Sequence, residues 1–282
     1  MRILVTGSSG RVGQAVAEYL SNRHEIVGID QTFGKHTAVT GDIRNESLMK
    51  GQFENIDAVI HLASLHAPHV GKASQADFES INVAATAQLL ALARNAHVKR
   101  FLIASSTSIY GHAMHDTSRA VWVTEALRPK PADIYDETKL AAEALCAAAF
   151  APDFMTISLR LSRCFPEPAR EMALYRLYRG VDLRDVSQAF ELALCATLDR
   201  FHVFNISSHT PLLETDCAEL RLNAAAVLNR RVPGIDVEFA RHGWQLPSQI
   251  DRVYAIDKAN QKLGYAPRFG FREFMHTLKP RS

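Results

Sequence analysis

The chain starts with an apolar run, residues 2–6, that passes without a break into Thr6-Gly7-Ser8-Ser9-Gly10-Arg11-Val12-Gly13. Residues 12–20 follow, with apolar side chains recurring at helical spacing. Strand, glycine-rich turn and helix in that order leave few folds open, because they begin a βαβ unit. The rhythm then repeats. Residues 24–30, 38–41, 57–62, 99–104 and 155–160 are further strand runs, and residues 75–96 and 134–150 are the longer helical stretches between them. The strand runs lack polar alternation, and most are followed by a helix, which is the pattern of a parallel sheet covered on both faces. The expected fold class is α/β: a doubly wound parallel-sheet Rossmann fold.

After Arg160 the rhythm changes. Residues 163–180 are rich in Pro and Arg, residues 181–199 read as a short strand plus helix, and residues 202–206 as one more strand. The tail from 210 to 282 mixes short helices with turns bearing Pro and Gly. The expected division is a nucleotide-binding domain over residues 1–160, to which the chain returns at about 181–206, and a small substrate-binding lobe within 161–282. At 282 residues the chain can bury a large core. Its 32 basic and 30 acidic residues are scattered and leave a net charge of +2, which gives no electrostatic reason to expect nucleic acid. Cys146, Cys164, Cys195 and Cys217 are far apart and unpaired in spacing, as in a reduced cytoplasmic protein without a zinc site. No apolar run is long enough for a membrane span or a leader, so a soluble protein is expected.

The glycines at 7, 10 and 13 let the chain turn tightly, approach a pyrophosphate and pack helix on strand. The helix N-terminus adds free N–H groups and partial positive charge. Gly7, Gly10, Arg11, Val12 and Gly13 are therefore the expected phosphate cradle. Asp30 ends the second strand 17 residues past Gly13. A carboxylate there accepts hydrogen bonds from the adenosine ribose and repels a 2′-phosphate, so NAD is expected rather than NADP. Lys35 nearby softens that preference or is a solvated loop lysine. Asp42 and Ile43, after the third strand, are expected to flank the adenine, with Asp42 also suited to cap a helix.

Tyr135-Asp136-Glu137-Thr138-Lys139 opens the Ala-rich helix, and residues four apart share one helical face. A phenol with a pKa of ~10 is a poor base at neutral pH. A lysine ammonium one turn away and an oxidised nicotinamide stabilise its phenolate; a shift of about 3 units corresponds to roughly 4 kcal/mol. Alone, this spacing is also that of an amphipathic surface turn. With TGSSGRVG, Asp30, DI at 42–43, HLAS at 61–64, NVAAT at 82–86, SSTSIYG at 105–111 and AIDKANQKLGYAPRFGFREF near the C-terminus, it resembles the extended short-chain dehydrogenase/reductases. Within these it is most similar to the NAD-dependent epimerase/dehydratase family. The resemblance implies Tyr135 as the proton-transfer residue and Lys139 as its modulator and a ribose contact. It places the catalytic hydroxyl four residues before Tyr110, at Ser106, and further cofactor contacts at Leu62, Ala63, Ser64 and Asn82. For Asn82, helix–strand hydrogen bonding is an equal account. Ser105, Thr107 and Ser108 read as loop solvation and capping.

Departures from the family pattern carry information too. Members that eliminate water have an acid just after the catalytic hydroxyl, where this chain has Thr107 and Ser108. The implied reaction is hydride transfer at a secondary alcohol of a sugar-like substrate, epimerase-like rather than a 4,6-dehydration. The alternative is net oxidation of a small sugar acid such as a uronate, which Cys164-Phe165-Pro166-Glu167-Pro168 resembles. A non-catalytic dinucleotide sensor is the reading from another class, against which the full Ser106/Tyr135/Lys139 set stands. Arg163, where family members usually carry Asn, is expected either to clamp an anion or to form a structural ion pair. His66, with Ser106 and Thr107, is a candidate substrate contact. His61, His66 and His69 fit no helical metal-ligand spacing. Residues 134–150 are Ala-rich enough for close helix approach, and the resemblance implies a homodimer through them.

Overall fold

The computed structural model describes residues 1–278. Strand β1 (Arg2–Thr6) feeds helix α1 (Arg11–Leu20), followed by β2 (Glu25–Asp30), β3 (Val39–Thr40), α2 (Glu46–Lys50) and β4 (Ala58–His61). The long helical stretch comes next as α3 (Gln75–Phe78), a π-helical turn (Glu79–Ala84) and α4 (Ala85–Asn95). Then follow β5 (Arg100–Ser106), β6 (Val121–Val123), α5 (Ile134–Ala149), β7 (Met155–Leu161), α6 (Ala169–Tyr178), α7 (Leu183–Cys195) and β8 (His202–Ile206). The remainder is α8 (Cys217–Leu222), α9 (Ala224–Arg231), α10 (Ile235–Arg241), β9 (Arg252–Tyr254), α11 (Asp257–Leu263) and α12 (Phe271–Thr277). Seven strands form one parallel sheet in the order β3-β2-β1-β4-β5-β7-β8, the order of a dinucleotide-binding Rossmann fold extended by one strand.

The two faces of the sheet are sorted by strand parity. Ile3, Val5, Ala58, Ile60, Leu102, Ile157 and Leu159 pack with Val16 and Leu20 of α1 and Val186 and Phe190 of α7. Leu4, Val59, Phe101 and Ile103 point the other way, against Leu89 and Ala93 of α4 and Ala142 and Cys146 of α5. With both faces buried, the strands need no polar alternation, which is why they read as plain apolar runs. A third cluster is built by α6, α8, α9, α10 and α12 with Ala120 from before β6, and includes Leu174, Leu177, Leu220, Leu228 and Phe239.

Two expectations need correction, the single helix at 75–96 and the strand at 181, and three elements, α6, β6 and β9, add to them. The stretch 75–96 is not one regular helix: Asn82 sits in the π turn, and its side chain reaches the loop after β4. Widened turns of this kind recur where a side chain must be re-aimed. No strand forms at 181; Gly180 makes only an isolated parallel bridge to Arg163. The Pro- and Arg-rich stretch holds a helix, α6, begun by Pro168 as its N-cap. β6 and β9, three residues each, pair in parallel and were too short to stand out as periodic runs.

Candidate active site

One cavity of about 820 Å³ opens along the C-terminal ends of β1, β2, β4, β5 and β7. Its first part is made mostly by backbone. Gly7 holds φ +73°, and a Cβ there would lie 2.6 Å from the Ala63 nitrogen. A Cβ on Gly13 would lie 1.9 Å from the Gly7 carbonyl oxygen. Neither position accepts a side chain without opening the turn, so a concave surface of main chain faces the cavity beside the N-terminus of α1, the shape that a pyrophosphate requires. Gly10, Arg11, Val12, Asp30, Ile43, Leu62, Ala63 and Ser64 also line it. Asp30 is fixed from both sides: Ser9 N–H donates to Oδ2 and Thr32 N–H to Oδ1, each at 3.0 Å. The residues present therefore fit a dinucleotide.

Two expected contacts lie outside the cavity. Asp42 is engaged by the guanidinium of Arg44 (Nη2–Oδ2 2.6 Å), which holds its carboxyl below the usual carboxylate range. Asn82 is buried and accepts from Leu65 N–H at 2.8 Å while donating to Leu65 C=O at 2.9 Å and to Thr138 Oγ1 at 3.1 Å. It shapes the loop that carries Leu62–Leu65 and ties it to α5.

His61 is a core residue. The Thr86 hydroxyl donates to Asn82 C=O at 2.8 Å, so it accepts from His61 Nε2, 3.0 Å away. Nδ1 is then the acceptor for the Thr6 hydroxyl at 2.7 Å. Burial holds the His61 pKa at about 3, with Lys139 adding repulsion. His69 is not at the cavity; its Nδ1 accepts from His66 N–H. His66 does line the cavity, with a buried Nδ1 that meets no protein partner. Among the described residues, no three His, Cys, Asp or Glu side chains are placed to hold a metal ion.

Ser106, Tyr135 and Lys139 come together where β5 ends beneath α5. Asp133 caps α5 by accepting from Asp136 N–H at 3.0 Å, which fixes the first turn and hence Tyr135. Lys139 Nζ donates to Ala104 C=O at 2.8 Å. Burial brings its pKa down to about 8, with Glu143 one turn on pulling the other way. Tyr135 is pushed up to about 12 by burial, and the neighbouring Ser106 hydroxyl opposes this. Protein groups alone thus leave the phenol protonated. A positive charge brought into the cavity would favour the phenolate.

Behind this pair runs a buried polar chain. Arg160 pairs with Glu143 at 2.7 Å and donates to the Tyr110 hydroxyl at 2.9 Å, which donates to Asn205 Oδ1 at 2.8 Å. Asn205 in turn donates to Val123 C=O at 3.2 Å. It ties α5, the loop after β5, β7, β8 and β6 into one unit.

The far end of the cavity is made of side chains. Arg163, Phe165, Arg179, Arg252, Tyr254 and His115 converge there. Arg163 is ion-paired with Glu167 and lies over Phe165 and Tyr175, so it takes the structural role as well as facing the cavity. Arg179 lies over Tyr175 at 4.7 Å with its Nε buried and unpaired. Thr107 lines the wall but turns its hydroxyl toward Leu161 C=O, 3.4 Å away. Arg179, Arg252 and Asp136 are lining residues to which sequence reasoning assigned no part. Asp136 alone had a local signal, its place beside Tyr135.

Fold and site together define a dinucleotide-dependent oxidoreductase of the short-chain dehydrogenase type. Residues 3–173 match the model of the NAD dependent epimerase/dehydratase family, and the chain belongs to that family. Its cofactor is NAD. A UDP-glucose 4-epimerase of Klebsiella pneumoniae is 36% identical over 129 residues, covering 39% of this chain and 93% of that one. The solved structure of MoeE5 in complex with UDP-glucuronic acid and NAD superposes with a TM-score of 0.73 at 22% identity, covering 98% of this chain and 97% of that one. A mutated uronate dehydrogenase superposes with a TM-score of 0.70 at 19% identity, covering 100% and 87%. At such identities the two structures speak for the fold. Among the described residues no helix is long and apolar enough to cross a membrane.

Proposed function

We propose that the protein moves a hydride at a secondary alcohol of an anionic sugar derivative, with Ser106, Tyr135 and Lys139 as its catalytic residues. The observation that carries this reading is their convergence in the same cavity as the glycine cradle. NAD, when bound, supplies the hydride acceptor and the positive charge that the phenol lacks. Ser106 orients the substrate oxygen, Tyr135 takes its proton, and Lys139, held on Ala104 C=O, fixes the floor of the site and meets the nicotinamide ribose. Elimination of water is disfavoured because the loop after Ser106 carries hydroxyls, one of them turned into Leu161 C=O.

The arginines support the anionic class. Arg163, Arg179 and Arg252 surround the far end of the cavity, and a carboxylate or phosphate matches their planar donors. A sugar nucleotide that is epimerised and a uronate that is oxidised both meet that description. The uronate reading gains from Phe165, which lies at that same end, and from the kinship in fold to a uronate dehydrogenase. In this reading the segment after Leu161 is the substrate lobe, and the enzyme works in the cytoplasm, where its four free thiols persist. It acts as a homodimer joined through the shallow groove between the π turn and α5, lined by Val83, Ala84, Ala87, Ala141 and Leu145, which sedimentation velocity will show.

Tyr135→Phe is expected to lower turnover by at least ~100-fold, the usual contribution of a proton-transfer group, while NAD binding stays nearly unchanged. A screen of D-glucuronate, aldoses and UDP- and dTDP-sugars, read by NADH absorbance and by sugar epimer analysis, identifies the net reaction. Full turnover by the Tyr135→Phe enzyme would refute the assignment.

A further inference from the structure

Asp136 stands beside Tyr135 in the first turn of α5, is 3% exposed and lines the cavity. One carboxylate oxygen, Oδ2, accepts from Ala132 N–H at 3.1 Å, and the other, Oδ1, is buried without a partner. A buried carboxylate with one oxygen unsatisfied is costly, and retaining it calls for a reason. Its surroundings supply one. The Ser108 hydroxyl faces the carboxyl, and Ser108 Oγ is 2.9 Å from Ser106 Oγ. Ser106 in turn faces the Tyr135 phenol. Four groups therefore stand in series: phenol, hydroxyl, hydroxyl, carboxylate.

We infer that Ser106 and Ser108 form a proton relay from Tyr135 to Asp136, which makes Asp136 the store for the proton that the substrate alcohol releases. This rests on the proposed role of Tyr135. When the phenolate takes the alcohol proton it becomes a phenol and must be emptied before the next turnover. The phenol O–H then breaks as a new O–H forms on Ser106. Ser106 passes its own proton to Ser108, and Ser108 passes its proton to the Asp136 carboxylate, leaving a phenolate and a carboxylic acid. In the reverse direction the same acid reloads the phenol. No other reactant is needed, and the proton count is unchanged. The contacts at the two ends of the series are looser than the central hydroxyl pair, and such bonds tighten when substrate is bound.

The surroundings of Asp136 favour its protonated form over that of an exposed carboxylate. Burial and, less, the capping Asp133 raise its pKa, while the Ser108 hydroxyl, the Ala132 N–H and His112, from the turn after β5, lower it. Tyr135 is the titrating neighbour on its other side, with His115 and Arg252 further along the cavity.

The test uses NAD-loaded enzyme with two readouts. The first needs no substrate: infrared pH titration follows the C=O stretch of the protonated carboxyl. A band absent from Asp136→Asn, shifted in Ser108→Ala and restored in Ser108→Thr is expected. The second is the pH profile of turnover with D-glucuronate and UDP-glucose as probes. Asp136→Asn and Ser108→Ala are each expected to lose about tenfold to a hundredfold in kcat and the acid limb of the profile, and Ser108→Thr to regain most of both. A Ser108→Ala enzyme with wild-type kcat and an unshifted band overturns the relay. So does a silent Ser108→Ala beside an inactive Asp136→Asn, which would put Asp136 in direct contact with substrate. Full turnover by Tyr135→Phe instead overturns the proposed function, and the infrared result still reports on the Asp136–Ser108 link.

Discussion

The two ends of the cavity are built from different materials. The cofactor end is main chain: a glycine turn, strand termini and one carboxylate held by two N–H groups. The substrate end is long side chains, contributed by the segment after β7, the end of α6 and β9. Backbone walls fail all at once when a Cβ intrudes. Side-chain walls fail by degrees, because each arginine is one donor set among several. The contrast explains why a cofactor class can be read from this chain far more firmly than a substrate.

The largest effect is expected at the join between the ends. Glu143→Gln leaves Arg160 buried without its counter-charge, which costs about 3–5 kcal/mol and will appear as a lower urea midpoint. If the midpoint hardly moves, the two ends are mechanically separate. Gly13→Ala comes next: NAD affinity should fall on the order of 100-fold, about 2.7 kcal/mol, by calorimetry. A mild loss would mean that the cradle yields as side-chain walls do.

A pH effect probes the cofactor end through His61. Its folded pKa of about 3 lies below the unfolded value of ~6.5, so the unfolded chain binds the proton more readily. Stability is therefore retained above ~6.5 and lost as pH falls toward 3, with a slope of up to about 1.4 kcal/mol per pH unit. His61→Asn should remove this part of the slope in thermal melts. The smallest effect belongs to the substrate end. Arg179→Ala is expected to raise KM about tenfold with kcat nearly unchanged, equal to about 1.4 kcal/mol.

The legibility of the sequence follows the same division. The six main strand runs and the glycine turn are local: their signals lie within a few consecutive residues, and the sheet reproduces them with shifts of a residue or so at the ends. Ser106, Tyr135 and Lys139 each stand in a local motif, and the fold brings them to one cavity. What stayed hidden depends on contact between distant segments. The side chain of Asn82, open between a cofactor contact and a helix–strand bond, is aimed by the π turn at Leu65, 17 positions away. Arg179 and Arg252 lie 73 positions apart and meet only at the cavity. Asp136 gains significance only when the loop after β5 lays Ser108 against it.

The stretch from residue 181 to residue 251 contributes nothing to the cavity lining, although it supplies α7, β8 and the three helices α8, α9 and α10. These helices stand behind the substrate wall as a buttress, fastened to the segment before β6 by Ala120 N–H on Cys217 C=O. A buttress can be lengthened, shortened or tilted without replacing any group that meets a ligand. Remodelling it would shift where Arg252 and its neighbours stand while the glycine turn at the other end of the cavity stays as it is.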